Sequence, residues 1–161
     1  MTIRFILNGE DVVASVEANK RLAVILRENF SFVKTKSGCL SGTCGACSVI
    51  FNGAVSPSCL IPAFKVQGGE IITLEGFSQT DEYQDIVAGF AGAGVENCGC
   101  CDAGKILAAE LLLEKNTKPD REDFYNAFSG VRCRCTEPER LYAGILSAIE
   151  IRRRRIYGRS S

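Results

Sequence analysis

Eight of the chain's nine cysteines fall into two sets of four, each spaced like a metal centre. In the first, Cys39, Cys44 and Cys47 read C-x4-C-x2-C, and Cys59 follows further on. Three thiolates bunched in one loop, with a fourth apart, is the spacing that holds the two irons of a [2Fe–2S] cluster. Zinc sites more often show two C-x2-4-C pairs. In the second set, Cys98 and Cys101 form C-x2-C, and Cys133 and Cys135 form C-x-C. Taken alone, that pattern also suits zinc. Beside an iron–sulfur unit it reads as a second redox centre. Two such centres point to electron transfer. The chain has no histidine, so the commonest general base is missing, and no nucleophile motif or phosphate loop appears.

A [2Fe–2S] centre with four thiolates carries about two negative charges when oxidised, so its surroundings must donate hydrogen bonds. Gly38, Gly42 and Gly45 interleave with the first cysteines. Glycines let a loop curl until several backbone N–H groups converge on one anion. Cys98 and Cys101 precede a strong helical pattern at 102–115, whose N-terminus offers free N–H groups and a positive pole. Cys100, between two proposed ligands, reads either as a small buried hydrophobe or as a substitute ligand. Arg134, between Cys133 and Cys135, reads either as a cation offsetting cluster charge or as a solvent-facing side chain.

The elements that must position these residues follow from periodicity. Residues 3–7 and 11–16 alternate as strands around Asn8-Gly9, a two-residue hairpin signal. Residues 19–30 carry Leu22, Ile25, Leu26 and Phe30 on one helical face, with Asn19 as expected N-cap. A glycine-rich loop runs to Gly45. Strands follow at 47–51, at 54–56 after the Asn52-Gly53 turn and before Pro57, and at 70–74. This order is that of a β-grasp ferredoxin, and it returns Cys59 to the end of the sheet that holds the other three ligands. From there the pattern is helical. Residues 81–92 set Tyr83, Ile86, Val87 and Phe90 on one face. Residues 102–115 have Asp102 as expected N-cap, residues 120–128 start at Asp120, and residues 138–155 turn Leu141, Ile145, Leu146 and Ile149 inward. The expected architecture is α+β: a ferredoxin-like domain over 1–76, a linker between Gly76 and Asp81, and a four-helix [2Fe–2S]-binding domain over 77–161.

Nineteen basic and nineteen acidic side chains cancel, which argues against nucleic acid as a partner. Arg152, Arg153, Arg154, Arg155 and Arg159 crowd the C-terminus. They read as a solvated helix end or as a surface for an acidic partner. The N-terminus lacks the pattern of a secretory signal, and no apolar run approaches the ~20 residues of a membrane span. Nine thiols in a reducing compartment are metal ligands rather than disulfides, so the expected location is the cytoplasm.

The whole chain resembles the small iron–sulfur subunit of the molybdenum hydroxylases, the xanthine dehydrogenase, aldehyde oxidoreductase and aerobic carbon monoxide dehydrogenase family. The resemblance rests on Lys36, Gly38, Cys39, Gly42, Cys44, Gly45, Ala46, Cys47 and the distant Cys59. It also rests on NCGCCDAG (97–104) and CRCTEP (133–138), and spans roughly residues 2–150. It implies two [2Fe–2S] clusters and an electron-transfer role without substrate chemistry on this chain. It also implies partner subunits, a large one with molybdopterin and a medium one with FAD. Electrons released by substrate hydroxylation at molybdenum would pass through both clusters to FAD, the helical-domain cluster lying nearer molybdenum. Asn97 stands where the family has a Gln that helps hold the pterin, which makes Asn97 a candidate pterin contact. Asp102-Ala103 replaces Thr-Pro, and Glu137-Pro138 replaces Gly-Tyr. Two rival readings are a free-standing two-cluster carrier and a zinc-stabilised interaction module.

Overall fold

The computed structural model describes residues 1–158. Its sheet has five strands: β1 (Thr2–Leu7), β2 (Glu10–Ser15), β3 (Ser48–Phe51), β4 (Ala54–Pro57) and β5 (Glu70–Ile72). The spatial order is β2-β1-β5-β3-β4. β1 runs parallel to β5 and antiparallel to β2, and β3 is antiparallel to both β4 and β5. Both Asn-Gly pairs turn as expected, with Asn8, Gly9, Asn52 and Gly53 all at positive φ. Asn8 does more than turn. Its amide also bonds the backbone and hydroxyl of Thr73 at 2.8 and 3.2 Å. Pro57 is the last residue of β4 rather than the first after it, which is permitted because β4 is an edge strand and needs no donor there.

Alternate residues of β1 (Ile3, Phe5, Leu7) point inward onto Leu22, Ile25 and Leu26 of α1 (Leu22–Phe30). That helix begins two residues later than Asn19 as N-cap would place it. Arg21 is the N-cap and makes no side-chain cap, since a guanidinium has no acceptor; its backbone pairing with Pro62 holds the entry strand-like. Two further one-turn helices, α2 (Ala63–Val66) and α3 (Leu74–Phe77), escape periodicity because four residues carry no period. α3 shortens the last strand to Ile72 and occupies the start of the expected linker. Its Leu74 and Phe77 pack into the helical core, so the connection is anchored.

Four longer helices follow as expected: α4 (Asp81–Gly92), α5 (Asp102–Lys115), α6 (Arg121–Ala127) and α7 (Pro138–Tyr157). Thr80 caps α4 through the Tyr83 N–H, and Asp120 and Asp123 form a capping box on α6. At α5 the N-cap is Cys101, and Asp102 is the first helical residue. α5 is the central helix, buried without a break from Ala103 to Glu110. It lies against β3, and Ile50 of that strand belongs to the helical core. α4 and α7 cross closely at Gly89, where an added Cβ would come within 2.5 Å of the Ala148 backbone nitrogen. Along α7, Leu141, Ile145 and Ala148 are buried, whereas Leu146 is exposed. The expected inward face was one position off at that turn, since Gly144 and Ala148 fill the crossing with α4.

The arginine cluster is neither a free helix end nor a bare docking face. Arg152 reaches Glu110 at 2.7 Å and Asp85 at 3.3 Å, and Arg155 reaches Asp85 at 2.8 Å and Glu82 at 3.3 Å. Asp85 is only 3% exposed. The two arginines clasp α7 onto α4 and α5, because buried carboxylates require charged partners. Arg153 and Arg154 face solvent. Arg159 lies outside the described residues.

Candidate iron–sulfur centres

The first loop folds so that its amides meet its own sulfurs. Leu40, Gly42 and Gly45 all adopt positive φ. That alternation turns successive N–H groups to one side. The Ser41 and Thr43 N–H groups donate to Cys39 Sγ at 3.4 and 3.2 Å. The Cys39 and Ala46 N–H groups donate to Cys44 Sγ at 3.5 and 3.4 Å. Gly38 leaves room for that sulfur, since a Cβ there would stand 2.9 Å from Cys44 Sγ. Cys47 and Cys59 are buried together against Ala23 of α1. Ser58, through its hydroxyl, donates to the Cys47 carbonyl at 2.7 Å and fixes the two approaches to each other. The set is thus an amide-supported pair, exposed Cys39 and half-buried Cys44, beside a buried pair (Cys47, Cys59), which suits two irons taking two thiolates each.

The electrostatics differ accordingly. Hydrogen bonds from the Ser41 hydroxyl, then the Thr43 hydroxyl and the two amides, draw the Cys39 thiol down to about 5. Burial, then the neighbouring Cys47, pushes Cys59 up to about 11. Ser41 and Thr43 had no role in the sequence reading. Their signal was a hydroxyl-rich stretch between two ligands.

In the helical half, the sulfurs of Cys101, Cys133 and Cys135 all lie within 4.8 Å of one another, and Cys133 and Cys135 are 3.3 Å apart. Burial, then Cys133, raises Cys101 to about 12. Burial opposes ionisation of Cys133, but the hydrogen bond with Cys135 outweighs it and lowers that thiol. Cys98 is exposed and lies outside this three-sulfur group. It faces the same cleft, of about 490 Å³, lined by Cys98, Cys100, Cys101 and Cys135. Cys100 is therefore exposed rather than a buried hydrophobe. Its place in the cleft follows from Gly99, whose positive φ turns the chain between two cysteines. Arg134 is exposed and lines that cleft beside the sulfurs. Asn97 is exposed in the segment leading to Cys98.

The two sets are neighbours. Gly38, Cys44 and Ala46 of the first loop line the same cleft as the second set. The first loop meets the start of α5 and the segment before Cys133 through backbone at three points. A Cβ on Gly104 would stand 2.8 Å from the Gly45 carbonyl oxygen, and one on Gly45 would stand 3.1 Å from the Gly130 carbonyl and 3.2 Å from Val131 Cα. Gly45 lies between Cys44 and Cys47, Gly104 follows Cys101, and Val131 precedes Cys133. The sequence reading also missed Lys105, fully buried on α5 beside this set. Its signal was a lone lysine within an apolar helical run.

Residues 5–72 match the family described as 2Fe-2S iron-sulfur cluster binding domain, and residues 73–150 match the [2Fe-2S] binding domain family. The second match removes zinc as the reading of the helical set. The chain is 41% identical over 150 residues to the nicotinate dehydrogenase small FeS subunit of Eubacterium barkeri, covering 93% of this chain and 96% of that one. It superposes on a chain of quinoline 2-oxidoreductase from Pseudomonas putida 86 with a TM-score of 0.85, at 35% identity, covering 95% of this chain and 96% of that one. It is also 34% identical to the aldehyde oxidoreductase of Megalodesulfovibrio gigas, over 90% of this chain but only 16% of that protein. The same unit thus occurs both as a separate subunit and as a small part of a longer chain. No described helix is long and apolar enough to cross a membrane. Two [2Fe–2S]-binding domains on a chain matched over more than nine-tenths of its length by a small FeS subunit make it an electron-transfer component of a multi-subunit oxidoreductase rather than a free carrier, and it belongs to the small iron–sulfur subunits of the molybdenum hydroxylases.

Proposed function

We propose that Cys39, Cys44, Cys47 and Cys59 hold one [2Fe–2S] cluster and that Cys98, Cys101, Cys133 and Cys135 hold the other. In this reading the chain relays electrons from a molybdopterin-binding large subunit to an FAD-binding medium subunit or another acceptor. The observation that carries the reading is the shared cleft, where Cys44 of one set faces Cys98, Cys101 and Cys135 of the other. When bound, each cluster supplies a centre that takes up and releases one electron. This chain's residues do the rest. The Ser41, Thr43 and Ala46 amides offset negative charge at the Cys39 and Cys44 sulfurs. Burial of Cys47 and Cys59 keeps water from the inner pair. The Gly45–Gly104 approach sets the spacing of the two loops.

The functional division falls near Gly76, with a first unit over 1–76 and a second over 77–161. Asn97, exposed at the mouth of the second set, contacts the pterin of the large subunit through its amide. The enzyme works in the cytoplasm, where thiols stay reduced until metal binds them.

Purification of the native complex tests this reading. The chain is expected to elute with a large subunit, in a complex containing molybdenum, pterin, flavin and iron. A lone polypeptide with iron but neither molybdenum nor flavin contradicts it.

A further inference from the structure

Lys105 is the one lysine among the described residues whose side chain is wholly buried. It sits one helical turn after Cys101, and its backbone N–H donates to the Cys101 carbonyl at 3.1 Å. The two side chains therefore share a face of α5. Its ammonium donates to the Glu96 carbonyl at 2.7 Å and lies 3.4 Å from Asp102 Oδ1. That oxygen accepts no hydrogen bond, so the ion pair is loose. Cys135 Sγ stands 3.9 Å from the same Glu96 carbonyl. One carbonyl thus joins the buried cation, a sulfur of the second set and the segment that leads through Asn97 to Cys98.

An apolar side chain would fill this position at less cost, because a buried ammonium must be compensated. The compensation on hand is Asp102 and the thiol set. Asp102 and the Glu96 carbonyl offer the ammonium acceptors only, a setting that suits its charged form.

We propose that Lys105 is the internal counter-cation of the second centre: it pins the Glu96–Cys98 segment through the Glu96 carbonyl and raises the reduction potential of the cluster held by the second cysteine set. The inference rests on the ligand assignment proposed above. A fixed positive charge stabilises the more negative, reduced form, and in a dry site it is poorly screened. The first centre, beyond the loop contacts, feels it less.

The test is a redox titration of the full-length protein, followed by the low-temperature paramagnetic signals of the two centres. The variants are Lys105→Met, Lys105→Gln and Lys105→Arg. Met matches the length of the side chain without charge or donor, and Gln keeps a donor without charge. Both are expected to lower the midpoint potential of the second centre and leave the first unmoved, and Arg is expected to restore most of the loss. Loss of the second centre alone in Met and Gln, with retention in Arg, supports the same assignment. An unchanged second potential in Met or Gln overturns it, as does an equal shift of both centres or loss of the second centre in all three variants. A wild-type protein with only one paramagnetic centre would instead refute the ligand assignment.

Discussion

Cys39 and Cys59 are assigned to one cluster yet meet it in opposite electrostatic states. At pH 7 a thiol with a pKa of about 5 is roughly 99% thiolate, whereas one at about 11 is ionised in roughly one molecule in ten thousand. Cys39 therefore offers a ready anionic ligand, and Cys59 gives up its proton only as metal binds. In the cluster-free chain, iodoacetamide at pH 7 is expected to modify Cys39 well before Cys59 or Cys101, as read by peptide mass spectrometry. Equal rates at the three sites would contradict the hydrogen-bonding account. At the second site, Asn97→Ala is expected to weaken pterin binding about tenfold, the cost of one hydrogen bond of about 1.4 kcal/mol, seen as molybdenum and pterin lost from the complex on prolonged dialysis with iron content unchanged. Full molybdenum occupancy would remove Asn97 from the pterin site. The cysteine ligands were legible in the sequence because metal coordination imposes short, fixed spacings. Lys105 was not, because its meaning depends on a carbonyl nine residues away and on burial.

Among the elements, α7 shows what periodicity can and cannot supply. Its existence and its inward Leu141 and Ile145 follow from a 3.6-residue period, and Pro138 marks its start. Its clasp does not, since Arg152 and Arg155 meet partners 42 to 73 residues away. Arginines at a helix end look alike in sequence whether they face water or a buried carboxylate. Leu146 failed for a related reason: the close α4 crossing selects Gly144 and Ala148 for the interior. Asp85→Ala would leave both guanidinium groups short of their most buried partner. It is expected to lower the free energy of unfolding by about 3 kcal/mol, against less than about 0.5 kcal/mol for Arg154→Ala on the exposed side. Chemical denaturation measures both, and equal effects would show that the clasp adds nothing to the surface charges around it.

In the whole molecule, β-grasp sheet and helical bundle meet through Ile50, Leu74 and Phe77, and their metal loops meet through glycine backbone. Element order announced both halves. It could not announce that Gly45 and Gly104 touch, because that contact joins the first loop to the opening turn of α5, 59 residues further along the chain. Ala at position 104 would favour the helix by about 1 kcal/mol in isolation. Here its Cβ meets the Gly45 carbonyl, a backbone atom with nowhere to go. Gly104→Ala is expected to keep both clusters but weaken the magnetic interaction between them, seen as reduced splitting of the paramagnetic signals. Unchanged splitting would mean that the contact does not set the spacing.

The central claim is that eight thiolates hold two separate two-iron centres. Iron and acid-labile sulfide determination on the purified chain, read together with its paramagnetic spectrum after dithionite reduction, tests that claim most directly. The account predicts four irons and four sulfides per chain and two distinguishable signals. Two irons, a single signal, or zinc in place of iron at either set would contradict it.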